Sequence, residues 1–299
     1  MKAKAFIYIA LAGLLWGTSG IFVKFLSPYG FTAPELSLIR GTVSFVAMLL
    51  YALISDRSIL RVCVKDILFA LFVGVTLYGT ATLYYSSMQL TSVSTAVVLM
   101  YTAPIYVTAF STAFLGEKAS KLKITAICVM IIGCALVSGV IGGLSFDGVG
   151  ILLGVLSGIV YAAYNVITKF ALKRGMNAVS LSLYGFMFMT LTALITARPS
   201  RIFEHASGKP AITVPLMIGL GIFTFVLPYF FYTLSMRDLP AGTASALSII
   251  EPLAATVYSA VFFAEIPSPL CAVGIVLIVG ATCLLGKAES SHSQISDKS

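Results

Sequence analysis

Two stretches of this chain carry the same order of residues 148 positions apart, and both lie inside long apolar runs. The first has Pro104, then twelve residues, then Glu117, and the second has Pro252, then twelve residues, then Glu265. The motif Ser-Met followed by Thr-Ala precedes each proline at the same distance. An internal repeat of this length predicts a chain built from two structurally equivalent halves.

The composition makes lipid the main solvent of these halves. Hydrophobic residues form 59% of the 299 residues and charged residues only 10%, whereas ordinary globular domains carry about 25% charge. Since about 20 apolar residues cross the hydrocarbon core, the runs predict an all-α integral membrane protein with ten transmembrane helices. The predicted spans are 5–26, 33–54, 66–88, 93–115, 123–141, 149–171, 177–197, 214–236, 242–263 and 268–286.

Five spans per half is an odd number, so the second half enters the membrane upside down relative to the first. The sequence therefore predicts two inverted five-helix repeats, 1–141 and 149–286, a recurring transporter design. With a cytoplasmic N-terminus, thirteen Lys and Arg residues fall on the inner side and three, Arg198, Arg201 and Lys209, on the outer side. This asymmetry predicts an inner or plasma membrane protein with both termini in the cytoplasm.

The remaining sequence leaves little room for a soluble domain. We expect 198–213 to be a polar loop and the polar residues 287–299 to form a disordered cytoplasmic tail. The N-terminal segment resembles a secretory signal, with basic residues before an apolar run. We expect it to be retained as a helix, because Trp16–Phe25 aligns with Tyr161–Phe170 at an offset of 145.

The inventory of reactive side chains argues against an enzyme. An intramembrane enzyme needs a nucleophile with a base, or a metal cluster, and the two histidines, His205 and His292, lie in a loop and in the tail. The five cysteines have no metal-ligand spacing. The net charge of +8 sits in short loops, which indicates membrane topology rather than nucleic-acid binding.

We therefore expect no catalytic residue, no metal, no cofactor and no nucleic-acid partner. The expected partners are the lipid bilayer and a small-molecule substrate, and a monomer is sufficient for function.

Four motifs occur in order along the chain, and they are Trp16-Gly17, Pro104 with Gly116-Glu117, Leu239-Pro240-Ala241-Gly242, and Glu251-Pro252 with Glu265. Together they resemble the EamA-type transporters of the drug/metabolite transporter superfamily, and the resemblance covers 5–286. It implies ten helices, a central cavity and peripheral fifth and tenth helices. It also implies export or exchange of small metabolites such as amino acids.

Glu251 is the first candidate for chemistry, since it falls about nine residues into the ninth span, near the middle of the bilayer. A carboxyl group there must pair, face a wet cavity or take up a proton. Two interpretations stay open: a proton site or partner for a cationic substrate group, and a protonated side chain that ties helices together. Pro104 and Pro252 lie mid-span at equivalent positions and predict helix kinks, either at the cavity or as permanent bends.

Aromatic and small polar residues inside the spans are the predicted lining of a substrate cavity. Tyr161, Tyr164 and Asn165 share one helix face, and their counterparts in the first span include Trp16 and Ser19. Tyrosines at this spacing also serve packing and membrane-interface belts, so that interpretation stays open as well. The predicted cavity residues are Trp16, Ser19, Tyr78, Tyr85, Tyr101, Tyr161, Tyr164, Asn165, Tyr229, Tyr232 and Glu251.

The other charged residues of the spans are predicted to be structural. Arg40 is expected to anchor a gate or a helix contact, while Lys24 and Lys169 are expected to snorkel to the interface. Glu117 and Glu265 each end a span, and each is expected to accept N–H groups at the start of the next helix.

These features predict a secondary transporter that works by alternating access around a midplane cavity. The predicted substrate is an amino acid or a related neutral, zwitterionic or aromatic solute, moved by export or exchange. Two alternatives stay open: import or exchange of nucleotide-like or other anionic metabolites, and a passive solute channel.

Overall fold

All regular secondary structure in the described part of the chain is helical. In this computed structural model the described residues are 2–91, 93–117, 119–137, 147–263 and 268–296, and no β-strand occurs among them. Lipid offers no hydrogen bonds to the backbone, and a helix satisfies its N–H and C=O groups within its own segment. The predicted all-helical class is confirmed.

The helices fall into two halves, with α1–α7 in the first and α8–α15 in the second. A π-helical turn, Ile222–Val226, joins α11 to α12. The bounds are α1 Lys2–Gly17, α2 Ser19–Leu26, α3 Ala33–Ser55, α4 Val64–Leu90, α5 Val93–Met100, α6 Ala103–Leu115, α7 Lys121–Val137, α8 Gly148–Lys173, α9 Ala178–Ala193, α10 Pro199–Ser207, α11 Pro210–Gly221, α12 Leu227–Asp238, α13 Ala241–Leu247, α14 Ile250–Phe263 and α15 Pro269–Ser296.

Seven helical stretches among the described residues are long and apolar enough to cross a membrane. Two shorter apolar helices, Ala178–Ala193 and Pro269–Leu285, accompany them. Since one crossing needs about 20 apolar residues, the chain is a multi-pass membrane protein. The seven stretches are Lys4–Leu26, Pro34–Ser55, Val64–Ser87, Thr95–Leu115, Gly148–Lys173, Pro210–Asp238 and Ala241–Phe262.

The two halves pack mainly on each other rather than each on itself. The most extensive helix contacts all join one half to the other: α4 with α8, α7 with α15, α4 with α9, α1 with α12, and α3 with α9. Neither half therefore encloses a core of its own, and the buried aromatic residues lie where the halves meet.

These pairings are also equivalent when the halves are exchanged. By the sequence repeat, α1 corresponds to α8, α4 to α12, and α6 to α14. The contact of α4 with α8 then matches that of α12 with α1, and the contact of α6 with α8 matches that of α14 with α1. The duplication seen in the sequence is thus present in the packing.

Besides the first stretch, in which Thr18 separates α1 from α2, two of the membrane-crossing stretches are interrupted near their middle. α5 ends at Met100 before α6 begins at Ala103, and α13 ends at Leu247 before α14 begins at Ile250. Pro104 and Pro252 each lie just after an interruption, where the missing proline N–H cannot continue the helix. The two interruptions occupy equivalent positions of the repeat.

Side chains within the interruptions bond to nearby backbone. The Thr102 hydroxyl donates to the Leu99 carbonyl at 2.6 Å, and the Ser248 hydroxyl donates to the Ser245 carbonyl at 2.6 Å. Local bonds of this kind compensate for the helical bonds that the interruptions remove. The second helix of each interrupted stretch is α6 in one and α14 in the other. The N-terminus of each therefore lies inside the membrane-crossing stretch.

The segment expected to be a polar loop contains the short helix α10. The ring of Phe31 lies 5.4 Å from the imidazole of His205, between centroids, and His205 Nε2 lies 3.9 Å from a Glu35 carboxylate oxygen. The loop prediction for these residues is wrong, because α10 docks on the start of α3 rather than standing free. Glu35 also accepts from the Thr32 backbone N–H at 2.8 Å.

The helix α15 continues to Ser296, into the segment for which we expected a disordered tail. No glycine or proline follows Gly286, so nothing in the local chemistry forces the helix to stop there. Residues 297–299 lie outside the described residues.

Close contact between the halves depends on glycine in α1. A Cβ atom built on Gly17 would lie 2.7 Å from Ala254 Cβ and 2.9 Å from the Ala255 backbone nitrogen of α14. By contrast, a Cβ on Gly20 meets no atom within 4 Å, and Gly20 is exposed. Small residues at helix contacts let backbones approach closely in membranes.

We expect Gly17→Leu to lower the apparent melting temperature and the folded yield of the purified protein, because overpacking costs about 1–3 kcal/mol or more. The matched change Gly20→Leu should leave both within error. The measurement is thermal unfolding in detergent together with the monodisperse fraction on gel filtration. Equal losses for the two variants would contradict the close approach of α1 to α14.

Candidate functional site

The two helix interruptions meet across the interface of the halves. Glu251 lies in the first turn of α14, directly after the second interruption, and Tyr101 lies within the first. The Tyr101 hydroxyl and the Glu251 carboxyl group lie close enough to interact. The positive end of the α14 dipole favours a negative charge at this position. A carboxyl group of the second half thus lies next to a tyrosine of the first.

An aromatic cluster, defined as Trp16, Tyr161, Tyr164, Tyr229 and Tyr232, lies beside this junction. The Trp16 ring lies 5.1 Å from that of Tyr229 and 5.3 Å from that of Tyr232, and Tyr164 lies 5.7 Å from both Tyr161 and Tyr229, between centroids. These distances are those of edge-to-face and offset-stacked pairs. α1, α8 and α12 contribute the rings, so both halves build the cluster.

Asn165 bonds to two tyrosines of this cluster through both polar atoms of its amide group. Its Nδ2 donates to the Tyr161 carbonyl at 2.7 Å, and its Oδ1 accepts from the Tyr232 hydroxyl. Asn165 is fully buried. Both ends of the amide bond within the protein, so Asn165 orients the Tyr232 hydroxyl, and its place in the substrate cavity stays a prediction.

Arg40 approaches the same region from α3. Its Nη1 donates to the Tyr85 hydroxyl at 2.7 Å, and its Cζ lies 5.8 Å from the centre of the Tyr85 ring and 5.9 Å from that of Phe225. Phe225 in turn contacts Tyr229 at 4.6 Å between centroids. Arg40 is thus attached to the edge of the aromatic cluster.

Arg40 and Glu251 lie within electrostatic range of each other, yet no ion pair between them occurs in the described part of the chain. Tyr84 and Tyr229 lie within range of both charges. Tyrosine side chains therefore lie near both a cation and an acid, with rings for apolar contact and hydroxyls for hydrogen bonds.

Some predicted cavity residues lie apart from this group. The Tyr78 hydroxyl bonds to the Thr196 hydroxyl, and Ser19 begins α2 after the interruption at Thr18 in the first span. Tyr85 joins the site through Arg40 rather than through the cluster. Three further residues, Tyr84, Phe186 and Phe225, belong to the site although the sequence analysis did not name them.

The missed residue Phe225 had a signal in the sequence. Phe225, Tyr229 and Tyr232 are spaced by four and then three residues, which is one helix face. Tyr84 had no such signal. It is adjacent to Tyr85, so the two lie on different faces of α4, and because both are tyrosines the residue type does not tell which of them faces the site.

Basic and acidic side chains close one end of the interface between the halves. Glu117 Oε1 accepts from the Ala241 backbone N–H at 3.0 Å, and Lys173 Nζ donates to the Leu115 carbonyl at 3.0 Å. Each bond joins one half to the other. Glu117 thus accepts from α13 and not from the next helix as expected, because α13 begins beside it in space. Glu265 lies outside the described residues.

The two lysines that were expected to behave alike do not. Lys24 is exposed, as snorkelling requires. Lys169 is buried, and its ammonium donates to the Leu239 carbonyl at 2.7 Å and to the Met236 carbonyl. The snorkelling prediction for Lys169 is wrong, since the carbonyls at the end of α12 lie within its reach and need donors.

The cavity that touches the aromatic cluster is small in this conformation. It is lined by Tyr164, Tyr229 and Phe186 together with residues of α4 and α9, and it has room for about one water molecule. A larger pocket of about 380 Å³ lies at the ends of α8 and α12, next to Lys169 and Lys173. The rings of the cluster fill the space between the halves by packing on one another.

We expect Asn165→Leu to lower the apparent melting temperature, since leaving a buried polar group unpaired costs about 1–3 kcal/mol. Tyr232→Phe, which removes only the hydroxyl partner, should cost less. Because the two residues share one bond, the double variant should be about as stable as Asn165→Leu alone. Fully additive losses in thermal unfolding would show that Asn165 does not act through Tyr232.

Comparison with known proteins fits this architecture. The model of the "EamA-like transporter family" matches the chain twice, over residues 3–139 and 148–287. An "uncharacterized transporter" of Clostridium kluyveri is 26% identical, with 92% of this chain and 91% of that protein covered. A "probable terminal-alkyne amino-acid exporter" of Streptantibioticus cattleyicolor is 23% identical, with 95% and 94% covered.

A solved crystal structure has the same fold, with a TM-score of 0.76 at 19% identity, and covers 95% of this chain and 96% of its own. The fold comparison and the two family-model matches, which together span nearly the whole sequence, agree with the resemblance seen in the motifs. The chain therefore belongs to the EamA-like transporter family.

Proposed function

We propose that this protein moves a small amino-acid-type solute across the inner or plasma membrane by alternating access. The observation that carries the proposal is the aromatic cluster beside Glu251, where both halves and both helix interruptions meet. Broken helices near the middle of a membrane commonly form transporter binding sites. The substrate binds between the halves, and movement of one half against the other exposes it to one side at a time.

The proposed architecture is ten helices in two inverted five-helix repeats, with both termini in the cytoplasm. The equivalence of the helix pairings under exchange of the halves supports this symmetry. Inverted repeats allow each half to adopt the conformation of the other, which gives inward-facing and outward-facing states of similar energy. The bonds of Glu117 and Lys173 then close the cytoplasmic side in one of these states.

The chemistry of the site favours a zwitterionic or aromatic solute. The cluster offers apolar ring faces with hydroxyl groups, and Glu251 is an acid inside the membrane, where ionisable groups usually serve function. The S. cattleyicolor protein that is named a "probable terminal-alkyne amino-acid exporter" is similar to this chain over most of its length. This likeness supports amino acids as the class of substrate.

Glu251 has two candidate roles in this mechanism. It either carries a proton that drives transport or binds a cationic group of the substrate. Its place in the first turn of α14, near Tyr101, suits both roles, because the helix dipole favours a negative charge there.

We expect purified protein to be stabilised against heat by neutral or aromatic amino acids, because a ligand that binds the folded state raises the apparent melting temperature with concentration. The screen compares amino acids, nucleobases, polyamines, cationic dyes and nucleotides, and hits are then tested for uptake into proteoliposomes. Protein-free liposomes serve as the control. Stabilisation by nucleotides alone would favour the anionic-metabolite alternative instead.

If Glu251 carries the driving proton, Glu251→Gln should abolish pH-driven uptake in vesicles while substrate exchange at equal pH continues. The amide keeps the shape and hydrogen-bonding capacity of the side chain but cannot titrate. Exchange measured on the same vesicles reports whether the variant is folded. Unchanged driven uptake would exclude the proton role, and loss of exchange as well would favour direct substrate contact.

A further inference from the structure

Arg40 is a buried charge whose hydrogen-bonding groups are mostly unused. Its side chain is 7% exposed, and its Nε and Nη2 atoms are buried without a partner among the described residues. Within the described part of the chain only Nη1 donates, to the Tyr85 hydroxyl. Buried polar groups in proteins nearly always have partners, and a guanidinium inside a membrane helix is costly unless it is paired.

The acids near Arg40 do not satisfy it. Glu35, one turn earlier on α3, bonds to the Thr32 backbone and faces His205. Glu251 lies within electrostatic range of Arg40, but the two form no ion pair in the described residues. A helix-contact role would leave the three N–H groups on Nε and Nη2 of a charged side chain without a partner, and such a role is better filled by a smaller neutral side chain.

The side chain of Arg40 lies at the edge of the substrate site proposed above. Its guanidinium contacts the rings of Tyr85 and Phe225, and Phe225 contacts Tyr229 of the aromatic cluster. Arg40 lies about seven residues after the start of α3, which places it about 10 Å inside the span. This depth is greater than a side chain needs to anchor at the membrane surface.

We propose that Arg40 binds the carboxylate of the transported solute, while Glu251 faces its ammonium group. The inference rests on the proposed function and narrows the substrate class to α-amino acids and compounds with the same two charges. The planar guanidinium presents its N–H groups in a fork that matches a carboxylate, and the bonds are charge-assisted on both sides. The solute supplies the anion that Arg40 lacks within the chain.

The charges near the site also suit such a solute. Tyr84 and Tyr229 lie within electrostatic range of both Arg40 and Glu251. A zwitterion is attracted at both ends, and its side chain meets aromatic rings. A monoamine lacks the group that Arg40 needs, and a multiply charged anion such as a nucleotide is repelled by Glu251.

The test compares amino acids with analogues that differ at the carboxylate alone. The probes are L-leucine, L-phenylalanine and L-tryptophan, each paired with its decarboxylated amine and its carboxamide. Binding is measured by thermal stabilisation and by competition for uptake into proteoliposomes. The variants are Arg40→Gln, which removes the charge, and Arg40→Lys, which keeps the charge but loses the fork.

For the wild-type protein we expect each amino acid to bind about 10- to 100-fold more tightly than its amine or amide, the usual scale for a hydrogen bond to a charged group. Arg40→Gln should weaken amino-acid binding by a similar factor and change amine binding by less than about threefold. Arg40→Lys should fall between the two. If Arg40→Gln does not fold, the wild-type comparison of amino acid, amine and amide still decides the question.

Two other outcomes are distinguishable. Equal binding of amino acids, amines and amides to the wild-type protein would overturn the role of Arg40 and leave the proposed amino-acid transport standing. Binding of none of these probes, with stabilisation by nucleotides or phosphate esters, would overturn the proposed function and this inference with it.

Discussion

The fold of this protein depends on one constraint: backbone N–H and C=O groups that lie in lipid must find their hydrogen-bond partners within the protein. In lipid that need is met by unbroken helices, and an interruption is tolerated only where protein surrounds it. The interruptions at 101–102 and 248–249 lie at the interface of the two halves, where side chains of Thr102 and Ser248 bond to nearby carbonyls. These two interruptions thus bring backbone and polar side chains together where the halves meet.

The site at the interruptions would change if the two halves moved against each other. The largest helix contacts cross between the halves, and the aromatic cluster takes Trp16 from one half and its tyrosines from the other. A rotation of one half against the other therefore has to separate or rearrange these rings. At Gly17 the α14 backbone lies so close to α1 that no larger side chain fits between the two helices.

Residue type and spacing predicted which residues could form a site, but not what each one does there. The spacing of Tyr161 and Tyr164 and their alignment with Trp16 indicated facing helix surfaces, and these rings do lie together. The same face indicated Asn165 as a contact, although its amide is used inside the protein. Lys169 and Glu117 bond to groups that are 70 and 124 residues away. No local pattern contains such information.

The sequence by itself determined that this chain is helical, lies in a membrane and is duplicated, because length, apolarity and repetition are properties of the chain alone. It also determined that two spans would carry proline at equivalent positions. Only the tertiary structure decided that Glu251 lies in the first turn of a half-helix near Tyr101, and that Arg40 contacts Phe225 at the edge of the aromatic cluster with two guanidinium nitrogens unused. These facts depend on how helices from the two halves are placed against each other, and that placement is set by close packing between residues far apart in sequence.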